Sequence, residues 1–208
     1  KVTNYAGLWS YFSSEGILVE SLGPEIFVEL EGEAGVLEPC YRSGVKAVIG
    51  IQDRGEGEAL AGLRAAGYRL SGNGGQELEQ GSFSEAFAGA ESFQTVLEFP
   101  LSRYEEQELE LVVWAEDQAG NRSEEQTRFL LDSRPPELLL EFNQAEPKNE
   151  KYYAAERTAV LTVREPFFSE KLISLSITNT EGEGPQVGAW SHDGEVHRLT
   201  MVFSADGE

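Results

Sequence analysis

The 208-residue sequence predicts an all-β chain made of β-sandwich domains in tandem. Apolar and polar residues alternate with a period of two in several segments, as in strands with one buried and one solvated face. Short turn sequences containing Asn-Gly, Asp-Gly or Ala-Gly-Asn separate these segments. Two segments recur at one common offset, which indicates an array of similar domains.

The repeat defines the expected domains. Residues 24–30 return as 136–142, and residues 47–53 return as 159–165, both shifted by 112 positions. We therefore expect three parts: residues 1–23 as the C-terminal strand or hairpin of a preceding domain with its linker, 24–135 as a complete domain, and 136–208 as a second domain. Because residues 199–203 correspond to 95–99 and few residues follow, the second domain is expected to lack its last two strands.

The alternating segments predict the core. Odd positions are apolar over residues 45–51, and the same pattern holds over 159–163 and 109–115. About seven short strands in roughly 112 residues are typical of an immunoglobulin-like (Ig-like) sandwich. Residues 58–66 are rich in Ala and Leu and fit either a helical turn or a strand. The complete domain is expected to bury Ala47, Ile49, Ile51, Leu109, Leu111, Val113 and Ala115.

Composition excludes some classes of partner. Sixteen Lys and Arg against 37 Asp and Glu give a formal net charge of −21, which repels nucleic acid and anionic lipid. No apolar stretch is long enough for a membrane span, so no membrane insertion is expected of these residues. Cys40 is the only cysteine, which rules out an internal disulfide.

Two sequence motifs resemble a known family. Residues 117–121 read Asp-Gln-Ala-Gly-Asn, and the strand after them ends in Leu-Asp-Ser-Arg-Pro-Pro at 131–136. This combination resembles the bacterial Ig-like repeats of large Gram-positive cell-surface proteins. The resemblance implies tandem Ig-like sandwiches, neighbouring domains of the same chain as partners, and an extracellular location at the cell surface or cell wall. It identifies no ligand.

The sequence contains no convincing catalytic or nucleotide-binding motif. A Gly-x-Gly at 55–57 follows a strand, but Glu56 and Glu58 would repel a phosphate. His192 and His197 are the only histidines, and solvated or packed positions are expected for both. Trp114 is out of phase with the core, so it is either covered by a loop or exposed for recognition. No catalytic residue and no cofactor is predicted.

A calcium site is the alternative to a metal-free chain. Glu116, Asp117 and Asp132 are the candidate ligands, since they are expected near one end of the complete domain beside the Pro135-Pro136 junction. The chain has no Asp-x-Asp-x-Asp spacing, and acidic surface residues commonly serve solubility alone. The sequence therefore predicts no metal, with these three residues as the set to examine.

The function predicted from these features is a non-catalytic spacer or stalk in a bacterial cell-surface protein. Prolines at 24, 135 and 136 restrict the backbone at both junctions, as a stiff array of domains requires. Two alternatives remain open. The chain could be an adhesin module that binds a host protein or glycan, with residues 54–90 as the candidate surface, or an accessory domain of a secreted hydrolase.

Overall fold

The structure, a computed structural model, describes residues 1–13, 19–55, 60–83, 89–143, 147, 153, 155–178 and 184–204. The chain forms two compact units, Lys1–Ser133 and Arg134–Glu208. The described part of both units is mainly antiparallel β-structure, so the all-β prediction is confirmed. No helix among the described residues is long and apolar enough to cross a membrane.

The described strands of the first unit are β1 to β10, with one short helix, α1 (Leu101–Tyr104), between β8 and β9. A 3-10 turn, Asn73–Gly75, joins β6 to β7. The strand bounds are β1 Val2–Thr3, β2 Trp9–Ser10, β3 Glu25–Glu31, β4 Cys40–Tyr41, β5 Val45–Gln52, β6 Leu63–Gly72, β7 Gln76–Ser82, β8 Ser92–Phe99, β9 Gln107–Asp117 and β10 Arg122–Leu131.

Two sheets of the first unit pack on a common core, as in a β-sandwich. One sheet has the order β3-β5-β8 and the other β4-β10-β9-β6-β7, with β4 and β10 as its one parallel pair. Strand β5 alternates buried and less buried residues because its odd positions face the second sheet. The core prediction is confirmed: the seven residues named from the sequence are each at most 2% exposed.

Three smaller predictions concern the same unit. Residues 58 and 59 lie outside the described residues, and from Leu63 the chain is strand β6, so the strand alternative holds there. Trp114 is half-buried, with the Arg122 guanidinium 4.8 Å from its ring centre and Gly67 opposite it on β6. The first residues form the hairpin β1-β2, whose turn is held by two backbone N–H groups that donate to Asn4 Oδ1.

The second unit contains one described sheet with the order β11-β12-β14-β13. Its pairing reproduces the repeat, since Leu138 lies opposite Val163 as Ile26 lies opposite Ile51. A 3-10 turn, Glu170–Leu172, lies between β12 and β13. The domain boundaries, and the two strands expected to be missing, stay predictions. The strand bounds are β11 Glu137–Phe142, β12 Arg157–Arg164, β13 Gln186–Asp193 and β14 Val196–Phe203.

Candidate metal centre

Two buried aspartates lie at one end of the sandwich. Asp53 directly follows β5 and continues its inward alternation, and Asp117 ends β9 in phase with the core residues of that strand. The two side chains belong to residues that are 3% and 0% exposed. These two carboxylates need hydrogen-bond donors or a cation nearby, because burying an isolated carboxylate destabilises the folded state.

A third carboxylate comes from the linker that precedes β3. Glu20 Oε2 accepts a hydrogen bond from the Ala61 backbone N–H at 3.0 Å, and the Glu20 carbonyl accepts one from Asn121 Nδ2 at 3.2 Å. These bonds attach the linker to the start of β6 and to the β9–β10 turn. One carboxylate oxygen each from Glu20, Asp53 and Asp117 lies within 4.8 Å of the other two. We call these three residues the carboxylate centre.

Backbone and amide donors only partly satisfy the centre. Asp53 accepts from the N–H groups of Arg54 and Gly62, at 3.0 and 2.6 Å. Asp117 accepts from the backbone N–H and the side-chain amide of Asn121, both at 2.8 Å. Glu20 Oε1 is inaccessible to solvent and has no hydrogen-bond partner, which leaves a buried acceptor aimed at no donor.

The three charges repel one another. Two unit charges 4.8 Å apart cost about 3 kcal/mol at an effective dielectric constant of about 20. Among the described residues, no Lys or Arg forms an ion pair with any of the three carboxylates. A cation between the three carboxylates would remove this repulsion.

The donor set fits Ca²⁺. Calcium takes six to eight oxygen ligands at about 2.3–2.6 Å, with carboxylates binding through one or both oxygens. Three carboxylates offer up to six oxygens, and water can complete the shell. No Cys or His belongs to the centre, which disfavours the softer transition metals.

The structure does not bring the three sequence-predicted ligands together. Glu116 alternates to the opposite face from Asp117 and forms an ion pair with Arg64 at 3.0 Å. Asp132 follows β10 at its far end, because β10 runs antiparallel to β9 from Arg122 opposite Glu116 to Leu131 opposite Gln107. The expectation of one cluster was wrong for these two residues, since neighbours in the sequence point to opposite faces and β10 carries the chain a full strand away.

Sequence reasoning missed Glu20 and Asp53, although two signals were present. Asp53 falls in phase with Val45, Ala47, Ile49 and Ile51, which places an acid where the next core residue would stand. The shift of 112 positions also pairs Asp53 with Glu165 and Glu20 with Asp132, so acidic residues recur at both places. Alternation phase combined with the repeat could have selected Asp53.

A second polar cluster in this unit is already satisfied. Glu79 accepts hydrogen bonds from the hydroxyls of Tyr68 and Tyr104 at 2.5 and 2.8 Å, and Arg103 Nη1 lies 2.8 Å from its carboxylate. Burial, followed by the bond to Glu79, raises the pKa of each phenol to about 12. The bond from Tyr68 lowers the pKa of Glu79 most. This closed network ties β6, β7 and α1 together.

The remaining sequence candidates lie elsewhere. Cys40 is half-buried in β4, and the two histidines lie together in the second unit. At the opposite end of β6 and β9 from the carboxylate centre, a cavity of about 210 Å³ is lined by residues 71–75, by Glu108, Leu109 and Glu110, and by Arg128. Its volume is below the roughly 300–1,000 Å³ of ordinary small-molecule sites.

Comparison with protein-family models, with curated proteins and with solved structures finds no match to this chain.

Proposed function

We propose that this chain is a non-catalytic spacer of tandem Ig-like domains in a bacterial cell-surface protein, and that Ca²⁺ at the carboxylate centre fixes the linker to the domain that follows it. The observation that carries the proposal is the convergence of Glu20, from the linker, with two buried aspartates of the sandwich. Nothing else among the described residues of the first unit combines buried charge with an unpartnered acceptor.

The strand order supports the Ig-like part of the proposal. If β3 to β10 are labelled A, A′, B, C, C′, E, F and G, then A, B and E share one sheet while C, F and G share the other. This division of strands is the one found in Ig domains, whose variable type adds strands beside C. The repeated register of β3-β5 and β11-β12 supports a tandem arrangement.

The linker has the properties of a stiff connection. Pro24 is fully buried, and its ring restricts the backbone at the entry to β3. A Cβ on Gly23 would lie 2.6 Å from Ser123 Oγ, so the backbone passes close to the start of β10. Together with Glu20, these contacts hold residues 20–24 against the loop end of the sandwich. A bound cation would attract all three carboxylates where Glu20 approaches Asp53 and Asp117, which is the one repulsive contact of the linker.

The proposed location agrees with the chemistry of the centre. Calcium sites of extracellular modules bind with dissociation constants of about 0.1–1 mM, an affinity suited to calcium levels outside cells. The formal net charge of −21 draws divalent cations toward the surface. The resemblance of residues 117–121 and 131–136 to bacterial Ig-like repeats supports the same location.

Thermal unfolding in Ca²⁺ tests the proposal. A site that binds only the native state stabilises it by about 2.7 kcal/mol at a hundredfold excess over Kd, which is several degrees in Tm. We expect a rise in the Tm of the first unit with Ca²⁺ that exceeds the rise with Mg²⁺ at equal ionic strength. The variants Glu20→Gln and Asp117→Asn should abolish the difference between the two ions.

Glu116→Gln and Asp132→Asn are matched controls, because each removes one acidic charge from outside the centre. Both should keep the calcium response. Equal rises in Tm with Ca²⁺ and Mg²⁺ in the unmodified chain would contradict a specific calcium site. If the control variants lost the calcium response as well, the rise in Tm would come from general charge screening.

A binding module is the second candidate, and the cavity at the β6–β7 turn is the observation that favours it. Arg128 at its edge already pairs with Glu110 at 2.7 Å, which leaves less free charge for a ligand. The substitution Asn73→Ala at the turn would weaken binding to a glycan array if this cavity were the binding surface. If the chain is a spacer, neither the unmodified chain nor the Asn73→Ala variant should bind glycans.

A further inference from the structure

The described sheet of the second unit has two outer strands, which differ in their protection against pairing with another strand. Strand β13 carries a β-bulge between Val187 and Trp190, where its register with β14 shifts. Strand β11 pairs with β12 in one unbroken register from Glu137 to Phe142, and all six of its residues are exposed. Bulges, Pro and Lys are common protections of an edge, and β11 has none of them. Of the two outer strands, β11 is therefore the open one.

The unpaired backbone groups of β11 belong to alternate residues. The Asn143 N–H donates to the Thr158 carbonyl at 2.9 Å, one position beyond the ladder between β11 and β12. In an antiparallel pair, hydrogen-bonded residues alternate with residues whose backbone groups point away from the partner strand. The backbone groups of the odd-numbered residues therefore face β12, whereas those of the even-numbered residues face the free edge: Leu138, Leu140 and Phe142.

The same even-numbered residues expose apolar side chains on the core-facing side of the sheet. Leu138 and Phe142 lie opposite Val163 and Ala159 of β12, which are only 6% and 0% exposed. The side chains on β11 are each more than half exposed. One apolar row thus runs from buried positions on β12 to exposed positions on β11, and a further strand beside β11 would extend it.

The sequence of β11 is complementary to itself in one antiparallel register. A two-fold axis perpendicular to the sheet keeps the core-facing sides of two copies on one side, so even-numbered residues pair with even-numbered ones. With Leu140 opposite Leu140 of a second copy, Leu138 lies opposite Phe142, and each such pair exchanges two backbone hydrogen bonds. On the other face, Glu141 lies opposite Leu139, so no like charges meet.

The neighbouring registers bring like charges together. Moving the axis by one residue toward the N-terminus places Glu137 opposite Glu141, and moving it the other way places Glu141 opposite its own copy. Like charges directly opposite each other destabilise a strand pair. Strand β3 of the first unit fails the same comparison, because an axis through Val28 places Glu25 opposite Glu31. Its core-facing side chains are also packed against the core of that unit.

We propose that the second unit forms a homodimer by antiparallel pairing of β11 with β11 of a second copy, centred on Leu140. Backbone hydrogen bonds at the edge and the paired apolar side chains hold the two sheets together as one. The contact is only one strand long, so the dimer is weak and depends on concentration. In a spacer, this contact joins neighbouring molecules side by side. The inference does not depend on the carboxylate centre, which belongs to the first unit.

Disulfide cross-linking of the full 208-residue chain tests the register. In a Cys40→Ser background, Leu140→Cys places two thiols on the axis, where Cα atoms about 5.5 Å apart suit a disulfide. Leu139→Cys is the matched control: the position is similarly exposed, but its two copies lie about 8 Å apart, beyond the reach of a disulfide. Under mild oxidation, Leu140→Cys should form linked dimers about tenfold faster, because pairing raises the effective concentration of its thiols.

Opposite charges at the axis give a second test without cysteine. Leu140→Lys and Leu140→Glu should each sediment as monomers at concentrations where the unmodified chain forms dimers, because like charges meet on the axis. An equimolar mixture of the two variants should restore the dimer, and thermal unfolding checks that each variant keeps its fold.

Three results would overturn the proposal. The first is an unmodified chain that stays monomeric at its highest soluble concentration. The second is equal cross-linking of the two cysteine variants, or a mixture of the charged variants that stays monomeric. The third is growth into larger oligomers, because a two-fold contact closes at the dimer.

Discussion

The strand pairs β3-β5 and β11-β12 have the same register but different surroundings. In the first unit, Ile26, Val28 and Leu30 of β3 pack against the core shared with the five-stranded sheet. Their counterparts in the second unit, Leu138, Leu140 and Phe142, are 68%, 51% and 51% exposed. The repeated sequence therefore specifies strand pairing and alternation, whereas burial depends on a second sheet, which the described residues of the second unit do not supply.

The largest expected difference between the units concerns a charge in the central strand. Ile49→Asp should unfold the first unit, because Ile49 is fully buried and an unpaired buried carboxylate costs several kcal/mol. The counterpart Leu161→Asp lies at a half-buried position and should cost about 1 kcal/mol. Calorimetric unfolding of both variants measures the contrast. Equal losses of Tm would mean that the two strands are buried alike.

Strand β11 is an exposed edge strand of the described sheet in the second unit. It lies first in its sheet and has exposed apolar residues on both faces, so we expect it to pair between chains. Leu138→Lys with Leu140→Lys should reduce self-association in analytical ultracentrifugation without lowering the Tm of the second unit. The matched change Ile26→Lys should lower the Tm of the first unit. A loss of stability from the β11 variant would show that its face is covered in solution.

The sequence predicted the parts of the fold that follow from periodicity. Inward positions of β5 and β9 were correct because a period of two assigns a face to each residue without knowledge of the partner sheet. Of the three residues of the carboxylate centre, the sequence identified only Asp117 as a candidate ligand. Its other ligands come from a linker and from the end of β5, and only the pairing of the sheets brings these three segments to the same end of the sandwich. Asp132 failed for the same reason, since sequence proximity to a junction does not reveal at which end of a strand pair a residue lies.

A smaller difference between the units should appear at alkaline pH. The phenols of Tyr68 and Tyr104 have a pKa of about 12 in the folded first unit, against about 10 when unfolded. Because the folded pKa is raised, stability is complete below pH 10 and falls as the pH rises from 10 toward 12. Denaturant unfolding between pH 10 and pH 12 should show a falling free energy of unfolding, and Tyr68→Phe should reduce its dependence on pH. An unchanged slope in that variant would exclude Tyr68 as its source.

The central claim is that the carboxylate centre binds calcium, and titration calorimetry with Ca²⁺ tests it most directly. Asp53→Asn keeps the size of the buried side chain and removes one charge from the centre, and it loses one of the two backbone hydrogen bonds because an amide nitrogen cannot accept. We predict one Ca²⁺ per unmodified chain, with Kd of about 1 mM or below, and loss of that binding in Asp53→Asn while Asp132→Asn retains it. Absence of calcium binding in the unmodified chain, or undiminished binding in Asp53→Asn, would contradict the account.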